Sequence, residues 1–252
     1  MFIDVAATRV FHMPPSDAEQ KVRAWLDEVF QYSTKAIVAA DNPISASLLP
    51  LQRRIGARLR VVTIDPWIGY SAPLNVVLAH AATLGARTLL LQSLDVRCTR
   101  DTVQLLYAFL DDATLVAGAR MTQEHAPGAG LQPINAINSP WNTLALWQIA
   151  KLRLAGFCAI ADSDPTLSYG GMEEVATISI LQHLYPGKMR AVVADAGSIS
   201  WKTPDDSSPS FCRHWRKMAS KLVRAESQLQ LLNVPRGMVE TVDGFSSRAK
   251  MA

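Results

Sequence analysis

Two acidic places in this chain have the form of reactive sites. One is Ser93-Leu94-Asp95, inside the stretch TLLLQSLDVR. A carboxylate just beyond a buried strand can coordinate a hard divalent cation, and that cation can bridge a diphosphate. The other is Gly170-Gly171-Met172-Glu173-Glu174, at the start of a helical segment. A carboxylate pair can supply a general base for a hydroxyl, and two glycines let the backbone turn tightly. Plainer readings stand beside these. Asp95 has the character of a common turn residue, as does Asp41-Asn42-Pro43. Acids in a helix's first turn simply complement its dipole.

The elements that must position these residues can be read from periodicity. Residues 2–7 are a candidate strand. After Pro14-Pro15, Ser16 to Glu19 has the S-x-x-E form of a capping box, so Ser16 is expected to start a helix. Ala18, Val22, Trp25 and Val29 mark its buried face. KAIVAAD is a short buried strand, followed by a helix over 47–55 that stops at Gly56. RLRVVTI, TLLLQSL and ATLVAGA are further strands, with helical faces at Leu74, Val77, Leu78 and Ala81 and at Val103, Leu106, Tyr107 and Leu110. Strand and helix alternate, which predicts a mostly parallel sheet with helices on both faces. Ligands of such sheets bind beyond the carboxyl ends of the strands. The loops from Ala7 to Arg9, Asp41 to Ser45, Asp65 to Asn75 and Gln92 to Thr99 are therefore candidate ligand contacts.

The second half is less regular. Residues 128–139 read as loop or strand, 141–154 as a helix ended by Gly156, and 172–184 as a helix. MRAVVAD is expected to be the last strand. Phe211, Trp215, Met218 and Leu222 then predict a final helix whose basic side is a solvated face or docks on a membrane surface. The main domain is expected over 1–195, with 196–252 as an extension packed on it.

Composition narrows the function classes. Of 252 residues, 49% are hydrophobic and 19% charged, which is globular rather than disordered. A net charge of +3 is too mild for a nucleic-acid binder. Three scattered cysteines, with no C-x-x-C, argue against structural zinc and for a reducing compartment. There is no G-x-x-x-x-G-K-[ST], no G-x-G-x-x-G, no G-x-S-x-G and no H-E-x-x-H. No apolar run approaches the roughly 20 residues that cross a bilayer, and the first residues lack signal-peptide character. A cytoplasmic protein is expected.

The order of these motifs resembles the GT-A-fold glycosyltransferases, the nucleotide-diphospho-sugar transferases, as a divergent member. KAIVAADNPISAS looks like the strand that ends in an acid near the nucleoside. WIGYSAPLNVVLAHAATLGA looks like the segment in which a Gly and an Asn lead to the central strand. TLLLQSLDVRCTRDTV sits where the family carries D-x-D, PWNTLALWQIAKLRLAGF looks acceptor-side, and YGGMEEVATISILQHL looks like the acidic helix start where inverting members place the base. The resemblance implies transfer of a sugar from a nucleotide-sugar donor to an acceptor hydroxyl, with inversion. It implies Glu173 or Glu174 as the catalytic acid position, and Thr8, Asp41, Asn75 and Ser93 at the nucleotide. It also implies a manganese or magnesium ion on Asp95. Ser93 replaces the first acid of D-x-D, which weakens metal binding and makes Arg97, Arg100 and Arg120 candidate substitutes. A catalytically inactive binding or scaffold protein is one alternative. A sugar nucleotidyltransferase is another, although AATRVFHMPPS lacks that class's glycine-rich loop.

Overall fold

The computed structural model describes residues 2–122, 125–159, 162, 172–197, 199–201 and 219–243. In chain order the elements are β1 (Ile3–Val10), α1 (Pro15–Val29), β2 (Ser33–Ala40), α2 (Asn42–Ile55), β3 (Leu59–Thr63), α3 (Ser71–Thr83), β4 (Thr88–Gln92), β5 (Val96–Arg97) and α4 (Arg100–Ala108). Then come β6 (Thr114–Ala119), β7 (Gly130–Pro133), β8 (Leu144–Gln148), α5 (Ile149–Leu152), α6 (Glu173–Leu184), β9 (Arg190–Ala194), β10 (Ser200–Trp201), α7 (Lys221–Leu232) and β11 (Met238–Val242).

A nine-stranded sheet runs in the order β3-β2-β1-β4-β8-β6-β9-β11-β7, and β5 pairs with β10 in a small ribbon. The large sheet is mostly parallel, as expected. β8 lies antiparallel between β4 and β6, and β7 lies antiparallel on β11. Strand alternation divides the apolar residues between two cores. Ile3, Ala6, Val38 and Leu90 face the core under α1, α2 and α4. Val5, Ile37, Leu89 and Leu91 face the one under α3, α6 and α7.

Several elements differ from the sequence reading. Residues 141–154 are not one helix: they form β8 and then the four-residue α5. Leu144 and Leu146 enter one core while Ala145 and Trp147 enter the other. A strand buried on both faces has no polar side, so its apolar run fits either period. Ser16 does not cap α1. The helix begins at Pro15, with no side-chain cap, because proline's fixed φ and missing N–H suit the first helical position. α2 starts five residues earlier than expected, at Asn42.

β9 is not the last strand. β11, beyond the boundary expected at residue 195, is hydrogen-bonded between β9 and β7. Val239 and Thr241 are buried there. Of the final helix, 211–218 lie outside the described residues. Leu222, expected on its buried face, is 47% exposed, whereas Arg224, expected on its solvated side, is fully buried. No helix among the described residues is long and apolar enough to cross a membrane.

Close packing beside β8 gives a stability test. A Cβ added to Gly118 of β6 would lie 2.5 Å from Pro140 Cβ and 2.7 Å from Pro140 Cα. Pro140 leads directly into the turn before β8, so it has little room to move. Gly118→Ala should cost about 1–3 kcal/mol, read as a lower midpoint in urea unfolding with an unchanged m-value.

Candidate functional site

The acid pair of α6 is buried and held by hydrogen bonds from two distant segments. Glu173 and Glu174 are 5% and 6% exposed, so water cannot satisfy them. The turn before β8 does so instead. Asn142 donates its backbone N–H to Glu174 Oε1 at 2.7 Å and its Nδ2 to Glu173 Oε1 at 3.4 Å. Asn142 is itself held, because Trp147 Nε1 donates to Asn142 Oδ1 at 2.9 Å. That bond fixes which end of the amide faces the acids. From the carboxyl end of β1, Arg9 Nη1 donates to Glu173 Oε1 at 3.4 Å and to the Tyr70 carbonyl at 3.1 Å. Burial, and next the charge of Glu173, raise the Glu174 carboxyl to about 7. The Asn142 N–H opposes the rise.

Tyr70 and Ser71 begin α3, and neither caps it with a side chain. Asp162 does so from far along the chain, accepting the backbone N–H of both residues. Gly69 permits this approach. Its φ is +59°, and a Cβ there would collide with the Asp162 carboxylate. Burial raises the Asp162 carboxyl, against the lowering effect of those two N–H donors.

Of the residues expected at the nucleotide, Thr8 is near the end of β1, Asp41 and Ser93 directly follow β2 and β4, and Asn75 lies inside α3. Thr8 is 4% exposed, and its hydroxyl has no hydrogen-bond partner among the described residues. Asp41 caps α2 by accepting Ile44 N–H at 3.3 Å, and ties down the loop after β1 by accepting His12 N–H at 2.9 Å. Asn75 is engaged by another segment. Its side chain donates to the Phe157 carbonyl at 2.8 Å and accepts Phe157 N–H at 2.7 Å. Beside Thr8 and Arg9, Phe11 stacks on Trp67 with ring centres 4.5 Å apart and meets the edge of Tyr70 at 6.0 Å.

At the end of β4, Ser93 N–H donates to the Thr143 carbonyl at 2.9 Å. Asp95 Oδ1 takes a 3.0 Å ion pair from Lys21 of α1, with both side chains 44% exposed. The half-buried acid of this corner is Glu28. It accepts Gln92 Nε2 at 2.8 Å, Cys98 N–H at 3.0 Å and the Tyr32 hydroxyl at 3.1 Å. Burial pushes the Cys98 thiol up to about 12, so it is an unreactive neutral group.

No protein-family model and no curated protein matches the chain. Solved structures do. S. aureus TarS 1–349 in complex with UDP-GlcNAc aligns with a TM-score of 0.53 and 14% identity over 87% of this chain and 66% of that one. GalNAc-T7 with UDP, GalNAc and Mn2+ aligns at 0.59 and 11% identity, over 84% of this chain and 47% of that one. Glucosyl-3-phosphoglycerate synthase from Mycobacterium tuberculosis, with Mn2+, UDP-glucose and glycerol 3-phosphate, aligns at 0.57 and 10% identity, over 92% and 81%. The chain has a GT-A fold. It spans less than two thirds of the TarS and GalNAc-T7 chains.

The GT-A likeness invites a fit test for a divalent cation. Among the described residues, no three His, Cys, Asp or Glu side chains are grouped to hold a metal. The strand-end set is one carboxylate already paired with an ammonium, plus a neutral hydroxyl. Hard cations take six or more oxygens and favour several carboxylates, so these side chains do not by themselves form such a site. The substitute cations expected from sequence are also engaged. Arg97 donates to the Leu94 and Val96 carbonyls. Arg120 donates to the Ala126 and Gly128 carbonyls and pairs with Asp195. Arg100 lies over the Phe2 ring, next to the amino end of β1 rather than its carboxyl end. Arg9, which the sequence reading placed in a candidate loop without giving it a role, is a cation that contacts the acid pair. Asn142 and Asp162 carried no signal, because their contacts are long-range.

The raised Glu174 carboxyl has a measurable consequence. The folded state holds this proton more tightly than the unfolded chain, so Glu174 stabilises relatively at low pH. That contribution is lost as pH rises from the unfolded value near 4.5 through about 7. Glu174→Gln removes the titration while keeping an acceptor for Asn142. The stability of the variant relative to the parent should therefore increase between pH 5 and pH 8, by about 3 kcal/mol at most. Urea unfolding at both pH values checks it.

Proposed function

We propose that this protein binds a nucleotide-diphospho-sugar at the carboxyl ends of β1, β2 and β4 and transfers the sugar to an acceptor hydroxyl with inversion. The observation that carries this reading is the buried Glu173–Glu174 pair, held by Asn142 and Arg9, in which burial raises the Glu174 carboxyl. Such a group can accept a hydroxyl proton at physiological pH. The acceptor oxygen would attack the anomeric carbon as the bond from that carbon to the diphosphate oxygen breaks. The nucleoside diphosphate leaves with the electron pair, and the hydroxyl proton passes to Glu174. Arg9 orients Glu173 beside it.

The donor side is supported by three features. The buried Thr8 hydroxyl, with no hydrogen-bond partner among the described residues, lies beside Arg9 near the end of β1. The Phe11–Trp67 stack offers an aromatic surface to a base. Asp41 stands at the end of β2, while Asn75 acts indirectly by clasping the loop at Phe157. TarS, GalNAc-T7 and the glucosyl-3-phosphoglycerate synthase were solved with UDP or a UDP-sugar, so a UDP-sugar is the first donor to try. Manganese accompanies two of those three. Here Asp95 and Ser93 would need the diphosphate oxygens to complete any cation's shell, and no step in the proposed transfer runs through a cation. A second reading, a GT-A protein that binds donor without turning it over, is favoured by Ser93 in place of an acid and by the Lys21–Asp95 pair.

Thermal shift with UDP, GDP, CDP and their sugars, with manganese and with chelator, tests binding. One nucleotide class should raise the melting temperature. Glu173→Gln and Glu174→Gln should then keep that shift while losing about 10²–10⁴-fold in turnover. Full turnover in both variants removes the base assignment. Donor binding by the parent with neither hydrolysis nor transfer selects the non-catalytic reading.

A further inference from the structure

Three helices end along one rim of the sheet. α3, α5 and α6 cover the same face, through Leu74 and Val77, Ile149 and Leu152, and Ile178 and Leu181. α3 leads into the amino end of β4, and α6 into the amino end of β9. α5 leaves the carboxyl end of β8, which antiparallel pairing sets beside the starts of β4 and β6. Gln148 lies opposite Thr88, and Ile149 N–H donates to the Arg87 carbonyl at 2.9 Å. The start of β9 lies beside the start of β6, with Arg190 opposite Thr114. The three helix ends therefore share the rim opposite the acid pair, about one strand length of 17–20 Å away.

Each helix end carries the same two kinds of side chain. Leu84 is 40%, Leu154 51% and Leu184 57% exposed. Close to them in sequence, Arg87, Arg153 and Lys188 are exposed cations. Among the described residues none of these three is paired with a carboxylate. Residues 66–94, 125–161 and 175–194, which build the three helix ends, contain no Asp or Glu. The acids on this rim are engaged. Asp111 pairs with Arg190 at 2.8 Å, Lys151 donates to the Asp112 carbonyl, and Asp4 accepts the backbone N–H of Arg87 and Thr88.

We propose that this rim, the ends of α3, α5 and α6, docks the protein on an anionic lipid bilayer, with the carboxyl ends of the strands turned away from it. A leucine beside an unpaired cation, repeated three times, suits a bilayer surface on both counts. The aliphatic chains enter between headgroups, and the cations meet lipid phosphates. A protein interface fits less well, since charged residues and lysine above all are depleted there. A nucleic acid would use the cations and leave the leucines in water. The inference does not rest on the transferase reading, because the rim and the acid pair lie at opposite ends of the sheet.

The test is flotation of the full chain with vesicles of phosphatidylcholine alone and of equal parts phosphatidylcholine and phosphatidylglycerol. Binding should appear with the anionic vesicles alone and weaken as salt rises. Arg87→Gln/Arg153→Gln/Lys188→Gln should lower the partition coefficient roughly a hundredfold. Leu84→Ser/Leu154→Ser/Leu184→Ser should lower it about tenfold or more. Arg53→Gln/Arg54→Gln/Arg58→Gln removes the same charge from the α1–α2 side of the sheet and should change it far less. No binding to anionic vesicles, or an equal loss in that control, overturns the proposal. Binding of duplex DNA without binding of vesicles overturns it too. So does a leucine variant that alters self-association while vesicle binding stays unchanged, which would make the rim an interface between copies of the chain. If a variant does not fold, hydrogen exchange of the parent protein decides. Anionic vesicles should protect the backbone amides of residues 84–88, 153–156 and 184–188 and leave 93–97 unchanged, and protection confined to other segments overturns the proposal.

Discussion

The placement of two carboxylates where water cannot reach them is the constraint around which this structure is organised. At an exposed helix start, Glu173 and Glu174 would need only solvent and would gain a few tenths of a kcal/mol from the dipole. Buried, each needs donors with good geometry, and an unmatched buried charge costs several kcal/mol. The donors come from two distant stretches: Arg9 at position 9 and Asn142 at 142. Sequence distances of this size mean that the site exists only when the whole sheet has formed.

The sheet topology brings those stretches together. β8 runs antiparallel between β4 and β6, so its amino end lies at the carboxyl ends of its neighbours. Asn142 precedes that end, which puts an amide beside the end of β1 without a long loop. β11 has the same effect on the last segment. By pairing with both β9 and β7 it anchors the chain just after α7 and holds that helix against α6. The hydrogen bond from Trp147 to Asn142 joins packing to chemistry most directly. A side chain filling one core also sets the orientation of the amide that reads the acid pair.

What the sequence shows follows from the range of each interaction. Local signals are clear: the faces of α1 and α3, the strands β2 to β4 and the glycine at the end of α2 are all visible within windows of a dozen residues. β8 was lost because an apolar run buried on both sides has no period to read. α7 was misjudged for the opposite reason. Its basic residues fit a solvated face, and only the location of α6 shows that Arg224 points inward. The acids of α6 were visible as residues but not as a pair with a raised carboxyl, since burial decides that and burial is a tertiary property. Asp162 is the extreme case, capping a helix whose first residue lies 91 positions earlier.

The two acidic places also differ in energetic character, and that difference bears on function. Asp95 and Lys21 form an exposed pair of the kind that contributes roughly 0–1 kcal/mol. The end of β4 is stabilised by Glu28, Gln92 and Tyr32 behind it, not by Asp95. A ligand can therefore displace Lys21 from Asp95 at little cost, and the strand end is free to adapt to a charged group. The α6 pair has less freedom, because moving Glu173 strands Arg9 and moving Glu174 strands the Asn142 N–H. In the transfer proposed above, the rigid pair would accept the proton and the adaptable strand end would face the departing diphosphate. The reacting proton must be held in place, whereas the leaving diphosphate needs charge that can follow it out.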